Sequence, residues 1–177
     1  MRHIQLAWLL PFCMLPLQSA TLERLTLTDM IAKSTAIVRG KVQTSYAAFS
    51  GRMIFTHYSV QVAEQLKGAK AATVDVAIPG GTANGTMQTF AGAPGLQAGQ
   101  EYVFFLWTDK SGLNWIIGLS QGLFAESGDP GNPSLTRGVS QEVMLDPTTH
   151  RPVQDQTVST TLTDLRSQIA AALGGSN

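Results

Sequence analysis

The sequence predicts a single, mainly β domain with one helix near each end. Segments rich in β-branched and aromatic residues recur along the chain and are separated by turn residues. The tetrapeptide Thr-Leu-Thr-Asp opens an apolar-periodic segment near each end, and one segment, 101–109, is apolar on both faces. This spacing of strands and turns favours a small antiparallel barrel or sandwich.

The two helices are predicted at 26–34 and 161–173. Each opens with a threonine that can cap free backbone N–H groups, and an aspartate follows three residues later, near the positive helix end. In the second helix, Leu162, Leu165, Ile169 and Leu173 are spaced by three and four residues, and glycines follow. The second helix is therefore expected to present an apolar stripe.

The predicted strands lie between these helices. They span 36–44, 52–68, 72–80, 85–90, 101–109, 113–120, 122–126, 134–138 and 141–145. Because even and odd positions of 101–109 are both apolar, that strand needs cover on its outer face, which a flanking helix can supply.

The first twenty residues have the pattern of a secretory signal peptide. Arg2 and His3 precede an apolar run at 7–17, and small residues follow it. The run is shorter than the roughly 20 residues that span a bilayer. We predict cleavage after Ala20, a single domain at 21–177, export to the periplasm or medium, and no stable membrane insertion afterwards. The alternative is an uncleaved anchor.

Composition excludes several function classes. Lys plus Arg and Asp plus Glu each number 12, without runs of like charge, which argues against binding to nucleic acid or an anionic membrane. Cys13, the only cysteine, lies in the apolar run. The processed chain therefore offers no disulfide, thiolate zinc site or cysteine nucleophile, and no cofactor is expected.

Gly118 to Gly122 reads Gly-Leu-Ser-Gln-Gly, the G-x-S-x-G pattern of serine hydrolases. Asp129 or Asp146, followed by His150, would complete the chain order of a catalytic triad. A nucleophile elbow leads from a strand into a helix, whereas glycine and proline after Ser120 disfavour a helix. We predict that the glycines permit a bend or bulge in a strand, and keep a serine esterase as the alternative.

Few other residues indicate chemistry. His57 and His150 are far apart in sequence and suggest no metal site. His57 falls opposite the apolar positions of its strand, so we expect it to be exposed. Four aromatic residues could form either a stacking platform for a ligand or part of the hydrophobic core. We expect them to be core residues: Phe104, Phe105, Trp107 and Trp115.

The order of these motifs resembles a family of small secreted bacterial proteins without an assigned activity. In that family a short helix precedes V-x-G-x-V, here Val38 to Val42, and a long strand ends in L-K-G, here 66–68. A P-G-G turn follows at 79–81, and then a segment similar to 99–106. The resemblance covers residues 25–126.

The same order is more distantly similar to netrin-like domains, including tissue metalloprotease inhibitors. This implies a five-stranded OB-like barrel flanked by helices, and a role in protein binding. Those inhibitors chelate the protease zinc through a disulfide-pinned N-terminal cysteine, which the processed chain lacks. The resemblance therefore implies a barrel without implying metalloprotease inhibition.

OB barrels often bind ligands through the loop between their first two strands. Here that loop is predicted at 45–52 and contains Tyr46 and Phe49. These residues either contact a partner or fold back to cap the barrel. The expected function is an exported, non-catalytic binding domain for an envelope or secreted protein. The alternatives are the serine esterase and a structural envelope component.

Overall fold

The computed structural model describes residues 21–140 and 142–174, so the predicted signal peptide and its cleavage site after Ala20 lie outside the described residues. The described chain is mainly β, as predicted. In chain order its elements are β1 (Thr21–Glu23), α1 (Leu27–Lys33), β2 (Ala36–Ser50), β3 (Met53–Lys67), β4 (Thr73–Pro79), β5 (Gly81–Ala83), β6 (Thr86–Gln88), β7 (Glu101–Thr108), β8 (Asn114–Ile116), β9 (Leu123–Ser127), β10 (Ser134–Arg137), β11 (Val143–Leu145), β12 (Pro152–Val153), β13 (Val158–Thr161) and α2 (Leu162–Gly174). Neither of these helices is long and apolar enough to cross a membrane.

Eight strands form one large mixed sheet in the order β13-β10-β9-β7-β2-β3-β4-β8. The last of these, β8, also pairs with β7, so that β7, β2, β3, β4 and β8 close a ring of pairings. Within this ring β4 and β8 are parallel, and the other neighbours are antiparallel. The prediction of a purely antiparallel arrangement was therefore wrong. A closed ring with an odd number of strands cannot reverse direction at every contact.

The β2–β3 hairpin is longer than the sequence predicted. Its strands pair from Ile37 and Lys67 out to Ser50 and Met53, leaving only Gly51 and Arg52 as the turn. The predicted loop at 45–52 was therefore wrong, because residues 45–50 belong to β2. Since β7 pairs only with Ala36–Lys41, the outer half of the hairpin extends beyond β7.

The central strand β7 separates two apolar clusters. Tyr102, Phe104 and Leu106 pack with residues of β2, β3, β4 and β8 on one face. Val103 and Phe105 pack on the other face against residues of α1 and α2. The helices therefore supply the predicted cover for the outer face of this strand.

Both predicted helix starts are confirmed. In α1, Thr26 and Asp29 form a reciprocal capping box: Asp29 N donates to Thr26 Oγ1 at 3.1 Å, and Thr26 N donates to Asp29 Oδ2 at 3.0 Å. In α2, Asp164 N donates to Thr161 Oγ1 at 3.1 Å. The apolar stripe of α2 is buried at Leu162, Leu165 and Ile169, whereas Leu173 is exposed.

The Leu-Lys-Gly segment at the end of β3 fixes α1 against the sheet. Lys67 Nζ donates to the carbonyl oxygens of Ile31 at 2.6 Å and Ala32 at 3.3 Å, in the last turn of α1. A cation at this helix end satisfies free carbonyls and complements the helix dipole. Gly68 has φ +90°, and a Cβ there would lie 2.7 Å from the Thr35 carbonyl oxygen. This motif therefore has a structural role.

Candidate functional site

A row of five residues, four of them aromatic, crosses five strands on the outer surface of the ring. Tyr46 pairs with His57, His57 with Ala77, Ala77 with Trp115, and Trp115 with Trp107. Residues directly opposite each other on neighbouring strands share a face. At about 4.8 Å per strand, these five residues, named here the aromatic row, extend about 19 Å along the curved surface.

The Tyr46 end of the row is built around a covered histidine. The Tyr46 and His57 rings stack with 4.9 Å between centroids and 8° between planes. His57 Nδ1 lies 3.1 Å from Asp75 Oδ2, and the His57 side chain is only 14% exposed. The prediction that His57 is exposed was wrong, because a ring on the neighbouring strand covers it. Tyr46 itself is 61% exposed.

The tryptophan end of the row is also held by polar contacts. Trp115 Nε1 donates to Asp109 Oδ2 at 3.0 Å, and Phe55 packs edge-on against the Trp115 ring at 5.1 Å. Hydrogen bonds from Ser111 and Trp115 lower the pKa of Asp109 to about 2. The carboxylate is therefore charged at neutral pH and fixes the orientation of the indole.

A cavity of about 470 Å³ opens beside the two tryptophans. Its lining consists of Lys33, Trp107, Trp115, Ile116, Ile117 and Gly118. Trp107 is 49% exposed, and Lys33 supplies the only charge of the lining. The cavity therefore combines aromatic and aliphatic walls with one cation, a composition suited to an apolar anchor carrying a negative or polar edge.

The core prediction for the four aromatic residues was correct for only some of them. Phe104 and Phe105 are fully buried. Trp107 follows them on β7 but is largely exposed. It shares a face with the buried Phe105, so an exposed position here cannot be recognised from alternation alone.

Tyr46 and Phe49, predicted to act together in a loop, lie on opposite faces of the β2–β3 hairpin. Tyr46 pairs with His57 on the outer face, whereas Phe49 pairs with Ile54, which is fully buried. Phe49 is 42% exposed. Strand register therefore places Tyr46 in one row with Trp115 and Trp107, and on the face opposite Phe49.

The strands β8 and β9 both pair with β7, and the Gly-Leu-Ser-Gln-Gly segment forms a short loop between them. Ile117 N donates to the Phe105 carbonyl oxygen at 3.0 Å, and Phe105 N donates to the Gly122 carbonyl oxygen at 2.8 Å. Gly118 has φ +61°, and the chain continues into β9 rather than into a helix. This agrees with the predicted bend.

Gln121, the residue after the serine, has a structural role in this turn. It is 1% exposed, its Oε1 accepts from Leu25 N at 2.8 Å, and its Nε2 donates to the Glu23 carbonyl oxygen at 3.0 Å. These bonds attach the segment between β1 and α1 to the sheet. Sequence reasoning missed this residue because its partners are about a hundred positions away.

Ser120 meets a second serine rather than a histidine. Its Oγ donates to Ser140 Oγ at 3.5 Å, and Ser140 Oγ donates to the buried carboxylate of Glu142. Within 21–140 and 142–174, no hydrogen bond joins Ser120 to His150.

The two predicted triad acids, Asp129 and Asp146, accept hydrogen bonds within their own turns. Asp146 Oδ1 accepts from the backbone N–H groups of Thr149 at 2.8 Å and Thr148 at 3.0 Å, and these bonds lower its pKa. Asp129 Oδ1 accepts from Gly131 N at 3.0 Å. His150 is exposed, with φ +53°, at the end of the Asp146 turn. The structure therefore does not bring these residues together with Ser120.

Among the described residues, no cluster of three or more His, Cys, Asp or Glu is arranged to hold a metal ion. No protein-family model, curated protein or solved structure matches the chain.

Proposed function

We propose that this protein is an exported, non-catalytic binding domain that uses the aromatic row to contact a protein of the bacterial envelope or medium. The observation that carries the proposal is the cross-strand register that places exposed Tyr46 and Trp107 in one row on the outer surface of the ring, with Trp115 between them along the row. The signal-like pattern of residues 1–20 supports the exported location.

The residue types of the row favour a protein partner. Tryptophan and tyrosine are the residues most enriched among those that dominate binding energy at protein interfaces. Asp109 holds the Trp115 indole, and His57 stacks on Tyr46 beside Asp75. Because these rings are already oriented, binding loses little side-chain entropy.

We further propose that the five-stranded ring is an OB-like barrel of the netrin-like type. The closed order β7-β2-β3-β4-β8 and the two helices outside it support this assignment. On such a barrel the β2–β3 connection is a usual ligand contact, and here the extended strand that leads into this connection carries Tyr46.

Site-specific photo-crosslinking in the producing bacterium tests the binding proposal. A photoreactive amino acid replaces Trp107 in one variant and Met87 in a control variant. Met87 is 71% exposed but lies on β6, outside the aromatic row. We expect one protein adduct from position 107 and none of the same mass from position 87.

Reconstitution with the identified partner completes the test. Trp107→Ala and Tyr46→Ala are each expected to weaken binding by about 2 kcal/mol, roughly thirtyfold, whereas Met87→Ala leaves it unchanged. Equal adducts from both positions, or an adduct with polysaccharide, would count against the protein-binding proposal. A partner that binds both aromatic variants as tightly as the wild type would also contradict the proposal.

A further inference from the structure

The outer half of β2 has an unoccupied edge. From Thr44 to Ser50, named here the β2 edge, each residue pairs with β3 on one side. On the other side, pairing with β7 ends at Lys41, and Val42 then bonds the Gly99–Gln100 segment. Among the described residues, no strand pairs with the β2 edge beyond this point, and most of it is exposed.

Exposed strand edges are normally protected against pairing. Charged side chains, proline, bulges and short strand length are the usual devices. The β2 edge reads Thr-Ser-Tyr-Ala-Ala-Phe-Ser, without charge or proline. Its last register shift lies between Val42 and Thr44, before the free part begins. The edge therefore offers about 24 Å of regular backbone donors and acceptors.

We propose that the β2 edge is a dimerisation surface that pairs antiparallel with the β2 edge of a second copy of this chain, about a two-fold axis at Ala47. In this register Thr44 faces Ser50 of the second copy, Ser45 faces Phe49, and Tyr46 faces Ala48. The pairing is isologous, so it closes at two copies.

Side-chain size and charge favour a second copy as the occupant. Each aromatic residue of the edge lies opposite a small one, Tyr46 opposite Ala48 and Phe49 opposite Ser45. Because no residue from Gln43 to Gly51 is charged, self-pairing brings no like charges together. A two-fold axis at Ala47 therefore places one kind of aromatic–small pair on each face of the hairpin.

The pairing also extends the candidate binding surface. Tyr46 lies at the end of the aromatic row nearest the β2 edge, on the outer face of β2. Two chains joined at this edge place their Tyr46 residues on the same face of one continuous sheet. The dimer therefore presents two aromatic rows end to end, with their Tyr46 ends nearest the two-fold axis.

Charge placement at Thr44 and Ser50 tests both the dimer and its register. Both side chains are exposed, so lysine or glutamate can be introduced without disturbing the core. The protein is purified as cells process it, its N-terminus is identified by mass spectrometry, and its mass is measured by sedimentation equilibrium over a concentration series. The variants are Thr44→Lys/Ser50→Lys and Thr44→Glu/Ser50→Lys.

We expect the wild type to dimerise reversibly. The double-lysine variant places two like-charge pairs across the two-fold axis, and we expect it to dissociate at least about tenfold more readily. The Glu/Lys variant places opposite charges there and should dimerise at least as well as the wild type. A wild type that stays monomeric at high concentration, or a dimer indifferent to both variants, would overturn the proposal.

Hydrogen exchange provides a readout that does not depend on the variants. As wild-type concentration rises through the dimer range, amide exchange should slow within residues 44–50 and stay unchanged at Gly99–Gln100. Slowing elsewhere without slowing in 44–50 would place the dimer contact on another surface and refute the proposed register. Slowing of 44–50 in a wild type that remains monomeric would likewise refute pairing with a second copy.

Discussion

The ring of Tyr46 lies almost parallel to the imidazole of His57 on the neighbouring strand, with 8° between the two planes. Tyr46 is largely exposed, whereas the His57 side chain is only 14% exposed, so the phenol acts as a cover for the histidine. This contact lies within the β2–β3 hairpin, and His57 Nδ1, 3.1 Å from Asp75 Oδ2, links the hairpin to β4.

Tyr46→Ala should lower the free energy of unfolding by about 0.5–1.5 kcal/mol, because a stacked aromatic pair is worth that much beyond its buried area. Tyr46→Phe keeps the stack and should stay within about 0.5 kcal/mol of the wild type. Urea denaturation followed by circular dichroism measures both. A phenylalanine variant as unstable as the alanine variant would show that the ring stack is not the source of the effect.

Asp109 should titrate far below an ordinary aspartate, with a pKa of about 2 rather than 3.8. Because the folded-state pKa is lowered, the stabilisation by the charged carboxylate is fully present above about pH 3.8 and is lost as the pH falls towards 2. The Trp115 indole N–H resonance should report the same midpoint in an NMR titration.

Asp109→Asn is the control for that titration, and its indole resonance should not follow this transition. A wild-type midpoint near 3.8 would mean that the hydrogen bonds from Ser111 and Trp115 do not hold the carboxylate charged.

Gly68→Ala should destabilise the protein more than Gly99→Ala. Both glycines have similar positive φ values, +90° and +84°, so both alanines carry the same backbone strain of about 1–2 kcal/mol. At Gly68 a Cβ also meets the Thr35 carbonyl oxygen at 2.7 Å, whereas the space around Gly99 is open. Thermal and urea denaturation of the two variants should differ by about 1 kcal/mol or more. Equal losses of stability in the two variants would show that the close approach to the Thr35 carbonyl oxygen has no effect.

Lys67→Met should destabilise the protein by about 1–3 kcal/mol, because it leaves carbonyl oxygens of Ile31 and Ala32 without their charged donor. The control is Lys33→Met, in the last turn of α1. It removes an exposed ion pair with Glu23 at 3.9 Å and should lower the free energy of unfolding by less than about 1 kcal/mol. Urea denaturation separates the two. If Lys67→Met matched Lys33→Met, Lys67 would not hold α1 in place.

A fluorophosphonate probe should leave Ser120 unlabelled. Its hydroxyl donates to Ser140, and the N–H of Gln121, which a nucleophile elbow would use for the oxyanion, donates instead to the Gly118 carbonyl oxygen at 3.1 Å. Mass spectrometry of the treated wild type and of Ser120→Ala makes the comparison. A label present in the wild type and absent in Ser120→Ala would restore the esterase alternative.

The helix starts at Thr26 and Thr161 were predictable because capping is local. The threonine and the aspartate that interact are three residues apart, so the sequence contains both partners. The same reasoning predicted that 101–109 is covered on both faces, since its composition leaves no polar side. The bend at Gly118 was likewise predictable from glycine and proline close by in sequence.

The aromatic row was not predictable, because strand register decides it. Register shifts occur at three places along the β2–β3 pair, and each changes which residues stand opposite each other. Tyr46 reaches His57 only through this register, and Trp115 joins the row through a parallel contact that exists because five strands close a ring. No short stretch of sequence contains those pairings.

By itself, the sequence determined the class of the fold, the start of both helices and the two-sided burial of β7, because each depends on neighbours a few residues apart or on composition. Only the tertiary structure decided that 45–50 is strand rather than loop, that His57 is covered, and that Trp107 is exposed beside Trp115 while Phe49 faces away from Tyr46. These outcomes depend on backbone pairing between distant segments, whose free energy a local pattern does not contain.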